Sequence, residues 1–172
     1  MRKKLSLILL LAPCLMLQVR AQQVEMVVGD LWVEIPAQQT QSELKPGWKI
    51  VDYQTKSRLM HYLSGGHATQ LADGKRPVLR VSPGPDQVLV DYALIRLKSL
   101  KTYRKLPKSK LSDNEYMRLE PRYFDLKAQD DAFFCQPLQP LQPGEYLLVY
   151  LSQKPIGELE DLLVYPFSVM KE

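Results

Sequence analysis

From residue 22 onward the apolar positions alternate with polar ones in short runs, each broken by Pro or Gly. Residues 24–28 (VEMVV) and 31–35 (LWVEI) flank Gly29-Asp30, which predicts two strands joined by a two-residue hairpin turn. Pro36 ends the pair, and the polar stretch 37–42 (AQQTQS) is expected as a loop. Residues 48–53 place Trp48 and Ile50 on one face and Val51 and Tyr53 on the other, one further strand. Residues 58–63 form another, ending at Ser64-Gly65-Gly66, and 77–81 a short one closed by Ser82-Pro83-Gly84-Pro85.

The longest periodic segment is 87–100. Ala93, Ile95 and Leu97 share one face with Asp91 and Ser99, and Tyr92 and Leu94 share the other with Val90, Arg96 and Lys98. The alternation predicts a long strand, with a helix as the alternative. Residues 101–110 continue it as a protruding hairpin arm. Ser112 and Glu115 stand in capping-box spacing, which predicts a short helix over 112–119. Strands are expected at 123–126 and 132–135 around Asp130-Asp131, and at 146–151 and 162–170. Nine or ten short strands with no strong amphipathic helix indicate an all-β chain. The expected architecture is a two-sheet sandwich, immunoglobulin-like or transthyretin-like, or a small barrel.

Residues 138–150 read LQPLQPGEYLLVY. Their core, Leu141-x-Pro143-Gly144-x-Tyr146, resembles the corner of fibronectin-like and transthyretin-like domains, in which a Tyr hydroxyl folds back onto upstream backbone. A plain Pro-Gly turn with Tyr146 as packing leads to nearly the same fold. The order of Arg76-Pro77-Val78-Leu79, Tyr92-Ala93-Leu94-Ile95-Arg96-Leu97, Tyr103-Arg104-Lys105-Leu106, Pro137-Leu138, Pro143-Gly144-Glu145-Tyr146 and Tyr165-Pro166-Phe167-Ser168-Val169 is similar to small exported β-sandwich proteins of Bacteroidetes-type bacteria. That resemblance covers roughly residues 58–170, implies fold and location, and carries no functional residues.

The first 21 residues change the meaning of the composition. Arg2, Lys3 and Lys4 precede an apolar run over 5–17, and Val19-Arg20-Ala21 places small residues where a signal peptidase would cut before Gln22. The run is shorter than the roughly 20 residues that cross a bilayer core, and Pro13 weakens it as a span. Residues 1–21 are therefore expected to be a signal peptide and 22–172 one β-sandwich domain; a retained anchor and a lipidated Cys14 are the alternatives. After cleavage no membrane span is expected. The formal charge of +4 resides in the leader, since 19 bases meet 19 acids in the remainder. A general affinity for nucleic acid is thereby excluded as a reading of the basic pI. Cys135 is left without an intramolecular partner and reads as a buried strand residue. The location implied is the periplasm or cell surface of a Gram-negative bacterium.

Charge is segregated within this neutral total. Residues 75–110 hold ten bases against Asp86 and Asp91, and residues 111–172 hold five bases against eleven acids. Seven of the bases fall in 96–110 among Leu97, Leu100, Tyr103 and Leu106. An edge strand whose lysines deter pairing explains this. A binding arm formed by Arg96, Lys98, Lys101, Tyr103, Arg104, Lys105 and Lys108 explains it too. Its partner would be an envelope protein or an anionic glycan, with nucleic acid disfavoured by export.

The sequence carries no Gly-x-Ser-x-Gly elbow, Walker loop, dinucleotide fingerprint or His-Glu-x-x-His. No cofactor is implied. Ser64 beside His67 reads as a turn residue. His61 and His67 could face each other across a Ser64-Gly65-Gly66 turn, with Asp73 as a third ligand, but zinc wants three or four. Asp130-Asp131 and Glu158, Glu160 and Asp161 read as solvated turns. The leading expectation is a non-enzymatic exported binding or structural module; a small periplasmic hydrolase or metal-dependent enzyme using His61 and His67 is the alternative.

Overall fold

The computed structural model describes residues 22–45, 49–50, 53–54, 58–106, 116–151 and 162–170. The leader, Trp48, Lys108, residues 112–115 and the carboxylates at 158–161 lie outside them. The described chain is all-β, with one 3-10 turn at Leu89–Asp91. In chain order the strands are β1 (Gln23–Val28), β2 (Leu31–Glu34), β3 (Gln38–Gln39), β4 (Gln41–Lys45), β5 (Lys49–Ile50), β6 (Tyr53–Gln54), β7 (Arg58–Ser64), β8 (Leu71–Ala72) and β9 (Leu79–Ser82). There follow β10 (Tyr92–Ser99), β11 (Tyr103–Lys105), β12 (Tyr116–Arg118), β13 (Phe124–Gln129), β14 (Ala132–Pro137), β15 (Gly144–Tyr150) and β16 (Leu163–Val169).

One sheet runs β13-β14-β9-β1-β2. Both its hairpins use a residue at positive φ, Gly29 at 62° and Asp130 at 55°, as tight turns between twisted strands require. The other sheet runs β3-β16-β15-β10-β11-β7-β4, with β12 beside β10 and β8 beside β16. Its two end strands, β3 and β4, are consecutive in the chain and separated only by Thr40. Every neighbour in that order is antiparallel, and six alternating strand directions close without conflict. The larger sheet thus curls into a near-barrel, and the five-stranded sheet lies against one side of it, sandwich-fashion.

The central strands are consequently buried on both faces. Tyr92 and Leu94, Tyr146 and Leu148, and Tyr165 and Phe167 pack against Val24, Met26, Leu79, Val81 and Phe124 of the facing sheet. Ala93, Ile95 and Leu97, with Leu147, Val149 and Val164, form a second core with Leu63 and Leu106. The first core is aromatic-rich, and burial pushes the Tyr165 phenol up to about 12. Cys135 is fully buried in the first core, and burial raises its thiol to about 12, which keeps it an unreactive packing residue.

Several expectations need correction. The polar stretch 37–42 is not a loop, because Gln38–Gln39 and Gln41–Lys45 are the strands that close the barrel. Residues 48–53 do not form one strand, since Lys49–Ile50 and Tyr53–Gln54 pair with each other as a small separate ladder. The long strand begins at Tyr92, after the 3-10 turn, and not at residue 87. The helix expected over 112–119 is absent from its described part: Tyr116–Arg118 is a strand paired with Ala93 to Ile95 of β10. Nor does residue 101 begin a protruding arm, because β11 is inserted between β10 and β7.

Candidate functional site

The predicted binding residues lie on the β10–β11–β7 ribbon, and the two-residue period of the strands sorts them. Register places Ser99 opposite Arg104 and Arg104 opposite Leu63, so Arg104 points into the barrel with Leu63. It is 2% exposed. Its Nε donates to the Gly65 carbonyl at 3.1 Å and its Nη2 to the Ser64 carbonyl at 3.1 Å. Its Nη1 stands 3.6 Å from Oε2 of Glu145, which is itself buried. Burial draws the guanidinium below its ordinary value while Glu145 holds it up.

Glu145 lies on the inward face of β15, opposite Leu97 and Ser168. Its carboxylate accepts the Ala68 backbone N–H at 2.8 Å and the Ser168 hydroxyl at 2.7 Å, and its Oε1 lies 3.0 Å from His67 Nδ1. Sequence reasoning passed over Glu145, whose only signal is a lone carboxylate inside an otherwise apolar strand that also carries the corner motif. The cluster of Arg104, Glu145 and Ser168 fastens the 64–68 loop over one end of the barrel. Gly65 N–H bonds the Thr102 carbonyl at 2.9 Å, and Ser99 Oγ–H bonds the Gly66 carbonyl at 2.6 Å. A Cβ on Gly66 would meet the Lys101 and Leu100 carbonyl oxygens at 2.9 and 3.0 Å, so this close approach requires glycine.

The two histidines do not converge. His61 is buried, with Nδ1 3.1 Å from Thr40 Oγ1 at the junction of β3 and β4. The His67 side chain is 85% exposed, with one nitrogen fixed by Glu145. Asp73 accepts the Gly29 N–H at 3.1 Å, a turn-to-turn contact. Among the described residues no three His, Cys, Asp or Glu are grouped to hold a metal ion. No helix of the described residues is long and apolar enough to cross a membrane.

Arg96 also has a structural role, at the corner. Tyr146 Oη–H donates to the Gln142 carbonyl, four residues upstream, at 2.8 Å. Arg96, opposite Tyr146 in register, donates to Gln142 Oε1 at 2.6 Å and to the Pro143 carbonyl at 2.9 Å. A Cβ on Gly144 would sit 3.2 Å from Arg96 Nε. Leu141 is buried beneath this turn, its N–H bonded to the Lys75 carbonyl at 2.7 Å.

Of the remaining basic residues, Lys98, Lys101 and Lys105 face outward, and Lys108 lies outside the described residues. Lys98 and Lys105 are directly opposite each other on β10 and β11, and Lys105 is opposite Tyr62 on β7. Tyr103, two residues from Lys105, shares their face and is 38% exposed. Its ring meets that of Tyr62 edge-on, with centroids 5.9 Å apart. Lys101 is exposed at the β10–β11 turn. Neither Lys98 nor Lys105 makes an ion pair with any described residue. Like charges directly across an antiparallel pair repel, so among the described residues this couple is electrostatically unrelieved, and it lies beside exposed Tyr103 and half-buried Tyr62. Comparison with protein families, with characterised proteins and with solved structures gives no match to this chain.

Proposed function

We propose that this chain is an exported, non-catalytic binding module of the bacterial envelope that docks an anionic partner through the outer face of the β10–β11–β7 ribbon. The observation that carries the reading is the Lys98–Lys105 couple, which has no ion-pair partner among the described residues, set beside Tyr62 and Tyr103 on a ribbon braced from behind by Arg104 and Glu145. Export is supported by the leader-like first 21 residues. The test is capture of envelope components by the tagged protein at about 50 and about 500 mM salt, where screening separates charge-driven docking from apolar contact. Capture by the native chain falls with salt, Lys98→Glu/Lys105→Glu loses it, and Lys127→Glu on the other sheet keeps it. Capture unchanged by the ribbon substitutions contradicts the proposal.

A second reading rests on His67. A buried carboxylate that fixes one ring nitrogen and leaves the other toward solvent is the arrangement that orients an imidazole for proton transfer. The partner imidazole expected of that enzyme, His61, is committed to Thr40 inside the barrel. A hydrolytic turnover abolished by His67→Gln would replace the binding reading with this one.

A further inference from the structure

We infer that the occupant of the ribbon's outer face is an acidic saccharide, its sugar ring against Tyr103 and Tyr62 and its carboxylate between Lys98 and Lys105. The inference rests on the binding reading above and names the chemistry of its ligand. Register aligns Lys98, Lys105, Tyr62 and Gln41 in one row across β10, β11, β7 and β4, with side chains on one face. At about 4.8 Å between strands the row spans roughly 14 Å, the length of two to three linked sugar rings. Two ammonium groups at neighbouring positions suit a single carboxylate, which accepts from both and relieves their repulsion. The edge-to-face tyrosines, Tyr103 exposed and Tyr62 half-buried, offer apolar ring surface to the C–H face of a pyranose, and the exposed Gln41 amide offers hydrogen bonds to its hydroxyls.

The combination selects among anions. An acidic peptide would satisfy the lysines and leave the aromatic surface unused. A neutral sugar would cover the rings and leave the lysine couple unrelieved. The face is also preorganised, which lowers the ordering cost of binding. On the inward side of the same ribbon, Arg104 bonds the Ser64 and Gly65 carbonyls, and the 64–68 loop grips the Leu100–Thr102 turn.

The test is titration calorimetry of the full chain with three probes: tri-galacturonic acid, a neutral galactose trisaccharide and penta-aspartate. Tri-galacturonic acid binds most tightly, and its affinity falls at least about tenfold in Lys98→Gln/Lys105→Gln and about tenfold in Tyr103→Ala. Tyr103→Phe keeps the ring and restores most of the binding, and Lys127→Gln changes nothing. Penta-aspartate binding as tightly as the acidic sugar, with no response to Tyr103→Ala, overturns the saccharide and leaves the anionic-partner reading standing. So does an absence of sugar binding when envelope capture still depends on Lys98 and Lys105. Equal binding of the acidic and neutral sugars, or of all variants, also overturns it.

Discussion

Arg104 and Lys105 adjoin in the chain and occupy opposite environments. Arg104 lies inside the barrel end, 2% exposed, its guanidinium shared among two carbonyls and Glu145. Lys105 lies outside, opposite another lysine and with no ion-pair partner among the described residues. Arg96 shares a face with Lys98 two residues on, but its guanidinium is occupied in bracing the Pro143-Gly144 corner. In this ribbon the arginines, whose planar forks satisfy several carbonyls at once, hold the structure together. The lysines, with a compact and well-hydrated charge, remain at the surface. A basic stretch is therefore not one surface, and only its outward half is available to a partner.

The largest expected effect is at the buried pair. Glu145→Ala leaves the Arg104 charge buried without its carboxylate and frees the Ala68 N–H and Ser168 hydroxyl; urea unfolding should show a loss of about 3 to 5 kcal/mol. Lys105→Ala, one residue from Arg104, should stay within about 0.5 kcal/mol in the same measurement. Equal effects at the two sites would contradict the division. Next in size is Gly66→Ala, which drives a methyl group into the Leu100 and Lys101 carbonyls. It should cost about 2 kcal/mol and raise amide exchange at Gly65, whose N–H bonds the Thr102 carbonyl beside that turn. The smallest is Tyr146→Phe, which removes the hydroxyl bonded to the Gln142 carbonyl while keeping the ring. A loss of about 1 kcal/mol in thermal or urea unfolding is expected, and no effect would make the corner a matter of packing alone.

Much of the fold was legible because it rests on local chemistry. The Gly29-Asp30 and Asp130-Asp131 turns, the strands around them and the Pro143-Gly144 corner each carry their own turn residues. The all-β class follows from the two-residue period. Closure of the larger sheet was not legible, because AQQTQSELK offers no apolar alternation; residues 38–45 become strand only because β16 and β7 present free edges to them. The uninterrupted apolar run LLVYL at 147–151 was a signal of burial on both faces, since a strand with one solvated face alternates more sharply. The site was half legible. Clustering marked the ribbon, but separating Arg104 from Lys105 requires knowing which face of β11 meets the barrel interior. The Glu145–His67 contact joins residues 78 apart in sequence, beyond any local pattern.

Under the proposed function, partners meet the outward lysines. Lysine acetylation footprinting of the protein bound to its own envelope, compared with the free protein, tests it most directly. Lys98, Lys101 and Lys105 should become protected on binding while Lys127, exposed on the far edge of the five-stranded sheet, labels equally in both states. Protection of Lys127 with Lys98 and Lys105 still freely labelled would contradict it.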